Sequence, residues 1–472
     1  MHQKNENGTF TSKIGFVLAA VGSAVGMGNI WMFPYRTGQY GGAAFLIPYL
    51  LFIALFGYVG LSGEFAFGRM TGTGPIGSYE FAMKSRGKKG GAILGTIPLL
   101  GSLGIAIGYA IIVGWVLRSA FGALTGSLMS TEPEQFFTEM SSTDFSSVPW
   151  HTLVILLTAA VLIFGVSGGI EKINKVMMPA FFILFIIIAV RVAFLPNAIE
   201  GYKYLLVPQW EYLLNPRTWI MAMGQAFFSL SITGSGMIIY GSYLPRNEDV
   251  VHSSCMTAVL DTCAAMLAGL AILPSVFAFG LDPASGPKLL FITLQDVFNA
   301  MGTAGPLFGV LFYLLVSLAA ITSAIALTEV MVTFFLDHAA LKGHKPNRSR
   351  IVGLVCLAVM AVSTLVAVDG LGSNGLWVPF HQTGRNLAAS WLDFMDFISE
   401  GVAMPLGALI MTLLVGWKIG PGTIRDEVME RDNPFSPRLY RFYIFAIRVI
   451  APIGMAFILY GQLAQFFTVT VA

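Results

Sequence analysis

Two apolar stretches carry residues that apolar stretches rarely carry. "GSAVGMGN", Gly22 to Asn29, places three glycines and an amide inside the run from Ile14 to Tyr35. "QAFFSLSITGSGMIIYGSY", Gln225 to Tyr243, gathers Ser229, Ser231, Thr233, Gly234, Ser235 and Gly236 in the middle of another. Glycine costs a helix about 1 kcal/mol per position against alanine, so both clusters favour unwinding. An unwound turn frees carbonyls at the end of one half-helix, which suit cations, and N–H groups at the start of the next, which suit carboxylates. Glu64, Asp261 and Glu329 lie in or at the edge of other apolar runs. Ionisable groups at such depth mark ion or proton pathways by default. Helix–helix glue is the structural alternative, and the spacing of Gly22 and Gly26 also suits close helix packing.

The elements that must position these groups are membrane helices. With 472 residues, 56% of them hydrophobic and only 11% charged, the chain has too little polar surface to coat a soluble globule of its size. Apolar runs of spanning length recur about eleven times, near 14–35, 43–63, 93–117, 152–168, 176–190, 218–244, 254–280, 307–328, 351–368, 397–417 and 443–468. Basic residues gather between the second and third runs (Arg69, Lys84, Arg86, Lys88, Lys89) and between the eighth and ninth (Lys342, Lys345, Arg348, Arg350). The loop between the third and fourth carries Glu132, Glu134, Glu139 and Asp144 instead. The positive-inside rule therefore puts the amino terminus in the cytoplasm and, after an odd number of spans, the carboxyl terminus outside. The polar amino terminus lacks the pattern of a cleaved signal peptide. Cys255, Cys263 and Cys356 form no CxxC pair and read as packed free thiols.

Other motifs match by letter only. "GTGPIG", Gly72 to Gly77, resembles a dinucleotide fingerprint but follows a membrane run and precedes a basic loop, so it reads as a flexible turn. Asn7 and Asn347 head glycosylation triplets on the expected cytoplasmic side. The histidines show no i, i+4 pair that would hold a metal.

The two interrupted runs stand five spans apart, which points to an inverted-repeat transporter with its site between two discontinuous helices. Taken together, "GSAVGMGNIWMFPY", "GGAAFLIPY", "GQAFFSLS" and "AAITSAIA" resemble the neurotransmitter:sodium symporter family, and its bacterial eleven-span amino-acid transporters most of all. The resemblance implies an all-α polytopic membrane protein. Its repeats would cover about 13–193 and 217–417, followed by an eleventh helix at about 440–468, in the plasma (inner) membrane. It also implies sodium-driven amino-acid import by alternating access.

Site residues follow from the same resemblance. One sodium would take the Ala24 carbonyl, Asn29, Ser229 and a carboxylate oxygen of the substrate. A second would take carbonyls of Gly22, Val25 and Ala319 with the hydroxyls of Thr322 and Ser323. Amides around Gly28 and the Tyr109 phenol would hold the substrate carboxylate, and carbonyls near Phe228 its ammonium group. Ile105, Tyr109, Phe228, Ser231, Gly234, Ser235, Ser323 and Leu327 would line the side-chain pocket, with Phe228 closing it from outside.

The chain departs from the family pattern at several of these places. Met32 replaces the usual outer-gate arginine, while the acidic partner remains as Asp396. Arg36, one turn further out, is the expected substitute, bridging to Asp396 through water. Asp261 stands where many members have asparagine. Two cations and a zwitterion leave net positive charge in low dielectric, so Asp261 is the expected internal counter-charge and a candidate proton acceptor on the return step. Chloride-independent transport follows. Small residues at 234 and 235 leave room for a bulky hydrophobic or aromatic substrate. On the inner side Asp337 matches the gate acid, Lys4 or Lys13 stands in for its usual arginine, and Ser242, Tyr243 and Glu329 complete the closure.

Other function classes remain open at this point. A proton-coupled permease would use Glu64, Asp261 or Glu329 as proton carrier. A receptor or ion channel is a further alternative, although no pore-loop filter or charge ring is evident. No nucleophile–base pair or metal cluster suggests an enzyme. The sequence leaves oligomeric state and the identity of the amino acid undetermined.

Overall fold

The computed structural model describes residues 9–141, 146–283, 289–368, 391–429 and 437–467. Among the described residues, eight helices are long and apolar enough to cross a membrane: Ala43–Thr71, Gly91–Thr125, Val166–Ala193, Val250–Ala278, Gly302–Ala339, Arg348–Ala367, Phe394–Ile419 and Tyr440–Ala464. A bent pair, the 16-residue helix Val148–Ile163, and the pair Pro216–Ser229 and Gly236–Ser242 complete the spans expected from the sequence. Within its most apolar window the third span, Gly91–Thr125, is 72% buried, whereas the fifth, Val166–Ala193, is 28% buried. The third is therefore an interior helix, and the fifth turns most of its surface to lipid.

Both expected interruptions are present. The first span starts at Lys13, capped by the Ser12 hydroxyl, which accepts the Gly15 N–H at 3.1 Å. It runs to Ala24, turns extended at Val25 and resumes as Gly28–Gln39 after a bend of 56°. The sixth span stops at Ser229 and restarts at Gly236. Between them Ser231 (φ 51°) and Gly234 (φ 70°) adopt left-handed backbone. For serine that conformation is strained, a cost concentrated at functional sites.

Hydrocarbon offers no water to the main-chain groups an unwound turn releases, so protein must satisfy them. Glu64 of the second span accepts the Gly234 N–H at 2.8 Å, and the Tyr79 hydroxyl donates to the Gly234 and Gly407 carbonyls at 3.1 and 3.0 Å. This fixes Glu64 as an anchor of the break. The second span also crosses the restarted half of the sixth with no side chain between them. A Cβ built on Gly68 would fall 1.8 Å from the Ile238 carbonyl oxygen, and one on Gly241 would fall 2.4 Å from that of Phe65.

Two local expectations need correction. "GTGPIG" is more than a flexible turn: Gly72 (φ 65°) ends the second span, and Pro75 opens a further helix, Pro75–Lys84. Proline at the first helical position explains that start. Cys255 and Cys263 lie exposed on the seventh span rather than packed, and of the cysteines only Cys356 is buried. Asn347 acts as a local cap, its side chain accepting the Arg350 N–H at 3.1 Å just ahead of the ninth span.

Candidate ligand and cation sites

The two breaks face one another across a cavity of about 60 Å³ lined by residues of the first, third, sixth, eighth and tenth spans. A single water needs roughly 10–15 Å³ on the same measure, so the space suits a small organic ligand. Ala24, Gly28, Ile105, Tyr109, Phe228, Ser231, Ser323 and Leu327 line it, as the sequence led us to expect. The Phe228 ring lies against Gly28, where an added Cβ would come within 2.7 Å of it. The Tyr109 hydroxyl accepts the Met27 N–H at 3.3 Å, which places a phenol and the unwound backbone of the broken helix on one side of the cavity.

Gly234 and Ser235 do not line this space, contrary to expectation. Glu64 and Tyr79 hold Gly234 from behind, and the Ser235 hydroxyl is engaged by Ser102 at 2.9 Å and Thr233 at 2.7 Å. Their neighbours Thr233 and Gly236 face the cavity instead, and Gly236 opens onto empty space. The shift arises because Ser231 and Gly234 both turn left-handed, a reversal that sequence position alone does not reveal. Ser102, Ala326, Val330 and Met404 also line the cavity and went unnoticed in the sequence. Helical spacing could have found three of them. Ser102 precedes Ile105 by three residues and Tyr109 by seven, and Ala326 and Val330 follow Ser323 by the same intervals.

Asn29, Ser229 and Asp261 form one fully buried cluster. The Asn29 Nδ2 donates to Asp261 Oδ1 at 2.8 Å and to Ser229 Oγ at 3.0 Å, while Ser229 Oγ donates to Asp261 Oδ2 at 2.6 Å. Both carboxylate oxygens are thus engaged by the two side chains expected to ligate the first sodium. With its nitrogen so committed, Asn29 turns Oδ1 back toward the unwound segment, where it accepts the Gly26 N–H at 3.3 Å.

Of the expected second cluster, Ser323 reaches the first span, whereas the Thr322 hydroxyl bonds the backbone of its own helix. Ser323 Oγ donates to the Gly22 and Val25 carbonyls at 3.2 and 2.9 Å, and Thr322 Oγ1 donates to the Ala319 carbonyl at 2.9 Å. These five hard oxygen donors, held by the first and eighth spans, have the chemistry an alkali cation takes.

The gates differ from expectation. Arg36 donates to Gln225 Oε1 at 2.9 Å, and Gln225 Nε2 in turn donates to the Gly28 carbonyl at 2.8 Å. Glu400 lies close enough to Arg36 to act on its charge, and Asp396 lies beside Glu400. Asp396 and Glu400 are one helical turn apart, and Arg36 is buried. On the inner side Asp337 accepts the Gly74 N–H at 2.7 Å rather than a basic side chain, and Lys4 lies outside the described residues. The ion pair there joins Glu329 Oε2 to Arg348 Nη2 at 2.6 Å, and the Tyr243 hydroxyl donates to Glu329 Oε1 at 2.9 Å. Buried Phe10 closes over this group, its N–H reaching the Tyr243 carbonyl at 3.3 Å.

Removing one partner of a buried pair costs about 3–5 kcal/mol because the other charge stays uncompensated. Arg348→Met should therefore lower the melting temperature in detergent, and Arg348→Met combined with Glu329→Gln should recover much of the loss. Equal melting of the single and double variants would remove the pair as the source.

The model of the sodium:neurotransmitter symporter family matches residues 7–147 and 134–471. The chain is 34% identical over 449 residues to the uncharacterized sodium-dependent transporter YhdH of Bacillus subtilis, covering 94% of this chain and 95% of that one. An uncharacterized sodium-dependent transporter of Haemophilus influenzae is 30% identical over 452 residues, covering 94% and 96%. The crystal structure of MhsT in complex with L-phenylalanine superposes with a TM-score of 0.84 at 33% identity, covering 96% of this chain and 99% of that one. These relatives are transporters, not enzymes. By sequence along nearly its whole length and by its broken-helix fold, the chain belongs to the sodium:neurotransmitter symporter family.

Proposed function

We propose that the protein imports a bulky hydrophobic or aromatic amino acid together with two sodium ions, by alternating access and without chloride. The observation that carries this reading is Asp261, a fixed carboxylate in direct hydrogen-bond contact with Asn29 and Ser229. Two sodium ions and a zwitterion bring net positive charge into low dielectric, and Asp261 supplies the balancing charge that a bound chloride would otherwise provide. The first ion lies among the Ala24 carbonyl, Asn29 and Ser229, and the second among Gly22, Val25, Ala319, Thr322 and Ser323. Tyr109 and the amides near Gly28 take the substrate carboxylate.

Ile105, Leu327, Val330, Met404 and Phe228 present an apolar wall, and Gly236 leaves depth behind it. L-phenylalanine bound in MhsT is consistent with a pocket of that character. The repeats 13–193 and 217–417 rock about the broken helices, with the amino terminus in the cytoplasm. Arg36, Gln225, Glu400 and Asp396 close the outer side, and Glu329, Arg348, Tyr243 and Asp337 the inner side.

The test is an uptake panel in proteoliposomes under an inward sodium gradient. Phenylalanine, tyrosine, tryptophan or leucine should accumulate, stop when potassium replaces sodium, and continue when gluconate replaces chloride. Uptake driven by a proton gradient alone would favour a proton-coupled permease. Glycine displacing a bound ligand better than leucine or tyrosine would overturn the substrate class.

A further inference from the structure

Asn174 of the fifth span is 1% exposed, and its Nδ2 donates to the Ile170 carbonyl at 2.9 Å. That acceptor demands the nitrogen, so Oδ1 must point the opposite way. Oδ1 is sealed from solvent and has no hydrogen-bond partner among the described residues. A buried acceptor left unpaired is costly and calls for an explanation.

Its surroundings supply one. A Cβ built on Gly22 would fall 1.8 Å from Asn174 Oδ1 and 3.3 Å from Thr322 Cβ. The amide oxygen thus fills the side-chain space of Gly22, between the first and eighth spans, against two residues of the second cation cluster. Only glycine at position 22 admits it. One turn earlier on the same face of the fifth span, Glu171 meets Gly15 in the same manner: a Cβ there would fall 2.1 Å from Glu171 Oε1. Gly15 and Gly22 are about two turns apart on the first span. Asn174 and Glu171 thus both press side-chain oxygens against glycines of the first span, and the Glu171 carboxylate accepts the hydroxyls of Thr11 and Ser12 at 2.7 and 3.0 Å and pairs with Lys175 Nζ at 2.6 Å.

We propose that Asn174 Oδ1 is a further oxygen ligand of the sodium held by the second cluster, on its Glu171 side. The inference rests on reading Gly22, Val25, Ala319, Thr322 and Ser323 as a sodium site. A neutral amide oxygen suits this place. It is a hard donor that an alkali cation accepts, and it adds no charge that would trap the ion. The same contact explains why the oxygen needs no protein donor, since the cation is its partner.

The experiment is equilibrium binding of sodium-22 to the purified full-length protein in detergent, with melting temperature read alongside. Asn174→Ala should raise the half-saturating sodium concentration about three- to tenfold, on the scale of one lost contact to a charged group. Asn174→Asp, nearly isosteric and anionic, should lower it by a similar factor. Opposite signs exclude a packing role, which would shift both variants in the same direction, and the loss in Asn174→Ala, which changes no charge, reads the contact itself. If Asn174→Ala does not fold, Asn174→Asp alone decides. Half-saturation within twofold of wild type for Asn174→Ala, or unchanged or weaker binding for Asn174→Asp, overturns the proposal. Thr322→Ala and Ser323→Ala, measured in parallel, should both weaken sodium-22 binding. If neither does, the underlying site reading fails whatever Asn174 shows.

Discussion

Asp261→Asn is expected to raise the sodium requirement for uptake at least tenfold and to make the residual transport depend on external chloride. In the wild type Asp261 Oδ1 accepts the Asn29 amide at 2.8 Å and Asp261 Oδ2 accepts the Ser229 hydroxyl at 2.6 Å. An amide at this position turns one acceptor into a donor, so a donor must face either Asn29 Nδ2 or the Ser229 hydroxyl. It also removes the negative charge that sits against both proposed sodium ligands. Hydrogen bonds to a charged group contribute about 1.5–3 kcal/mol each, and about 1.4 kcal/mol is a tenfold change in binding, so the loss of even one meets the expected effect. Ser229→Ala removes one ligand and keeps the charge, so it should weaken sodium binding without creating a chloride requirement. The measurement is uptake against sodium concentration, in chloride and in gluconate, for the three proteins. Wild-type behaviour of Asp261→Asn in gluconate would place the counter-charge elsewhere.

The chain signalled its broken helices clearly because the cost of a break in hydrocarbon is paid in visible residues. Gly22, Gly26 and Gly28 weaken one helix, and Ser231 to Gly236 weaken the other. Both interruptions fall where these clusters lie. Acids in apolar runs were equally visible, but their roles were not. Glu64 and Asp261 look alike in sequence, yet one holds the Gly234 amide and the other binds Asn29 and Ser229. That distinction depends on helix rotation across a crossing, which a single chain does not encode locally.

What escaped the sequence reading is non-local in the same sense. Arg348 was counted only as one charge of a basic loop, whereas it reaches back 19 positions to Glu329 and holds the Leu162 carbonyl as well. Gln225 takes one Arg36 nitrogen and Glu400 lies near the same guanidinium, a pair of neighbours drawn from two other spans. Gly234 and Ser235 were misplaced for a different reason. Two left-handed residues reverse which side chains face inward, and only the glycine at 234 is recognisable in advance.

Gly26→Ala should leave the protein folded and abolish high-affinity amino-acid binding. Gly26 sits where the two expected cation clusters and the cavity meet. Its N–H donates to Asn29 Oδ1 at 3.3 Å, and a Cβ built on it would fall 2.6 Å from Ser323 Oγ and 2.7 Å from the Tyr109 hydroxyl. Both clashing atoms end movable side chains, so rotation relieves the overlap and the fold survives. Rotation has a functional cost, however, because it takes Tyr109 from the Met27 N–H and Ser323 from the Gly22 and Val25 carbonyls. Losing one charge-assisted contact to the substrate carboxylate weakens binding by about ten- to a hundredfold, and disturbance of the second cation cluster adds to it. Gly224→Ala is the control: a Cβ there meets nothing within 4 Å, and alanine favours its helix by roughly 1 kcal/mol. Binding of the best ligand from the uptake panel, measured beside the melting temperature, separates the two. Gly224→Ala should bind as wild type, whereas Gly26→Ala should melt within a few degrees of it and bind weakly. If both variants bind alike, Tyr109 and Ser323 do not act through the positions they hold around Gly26.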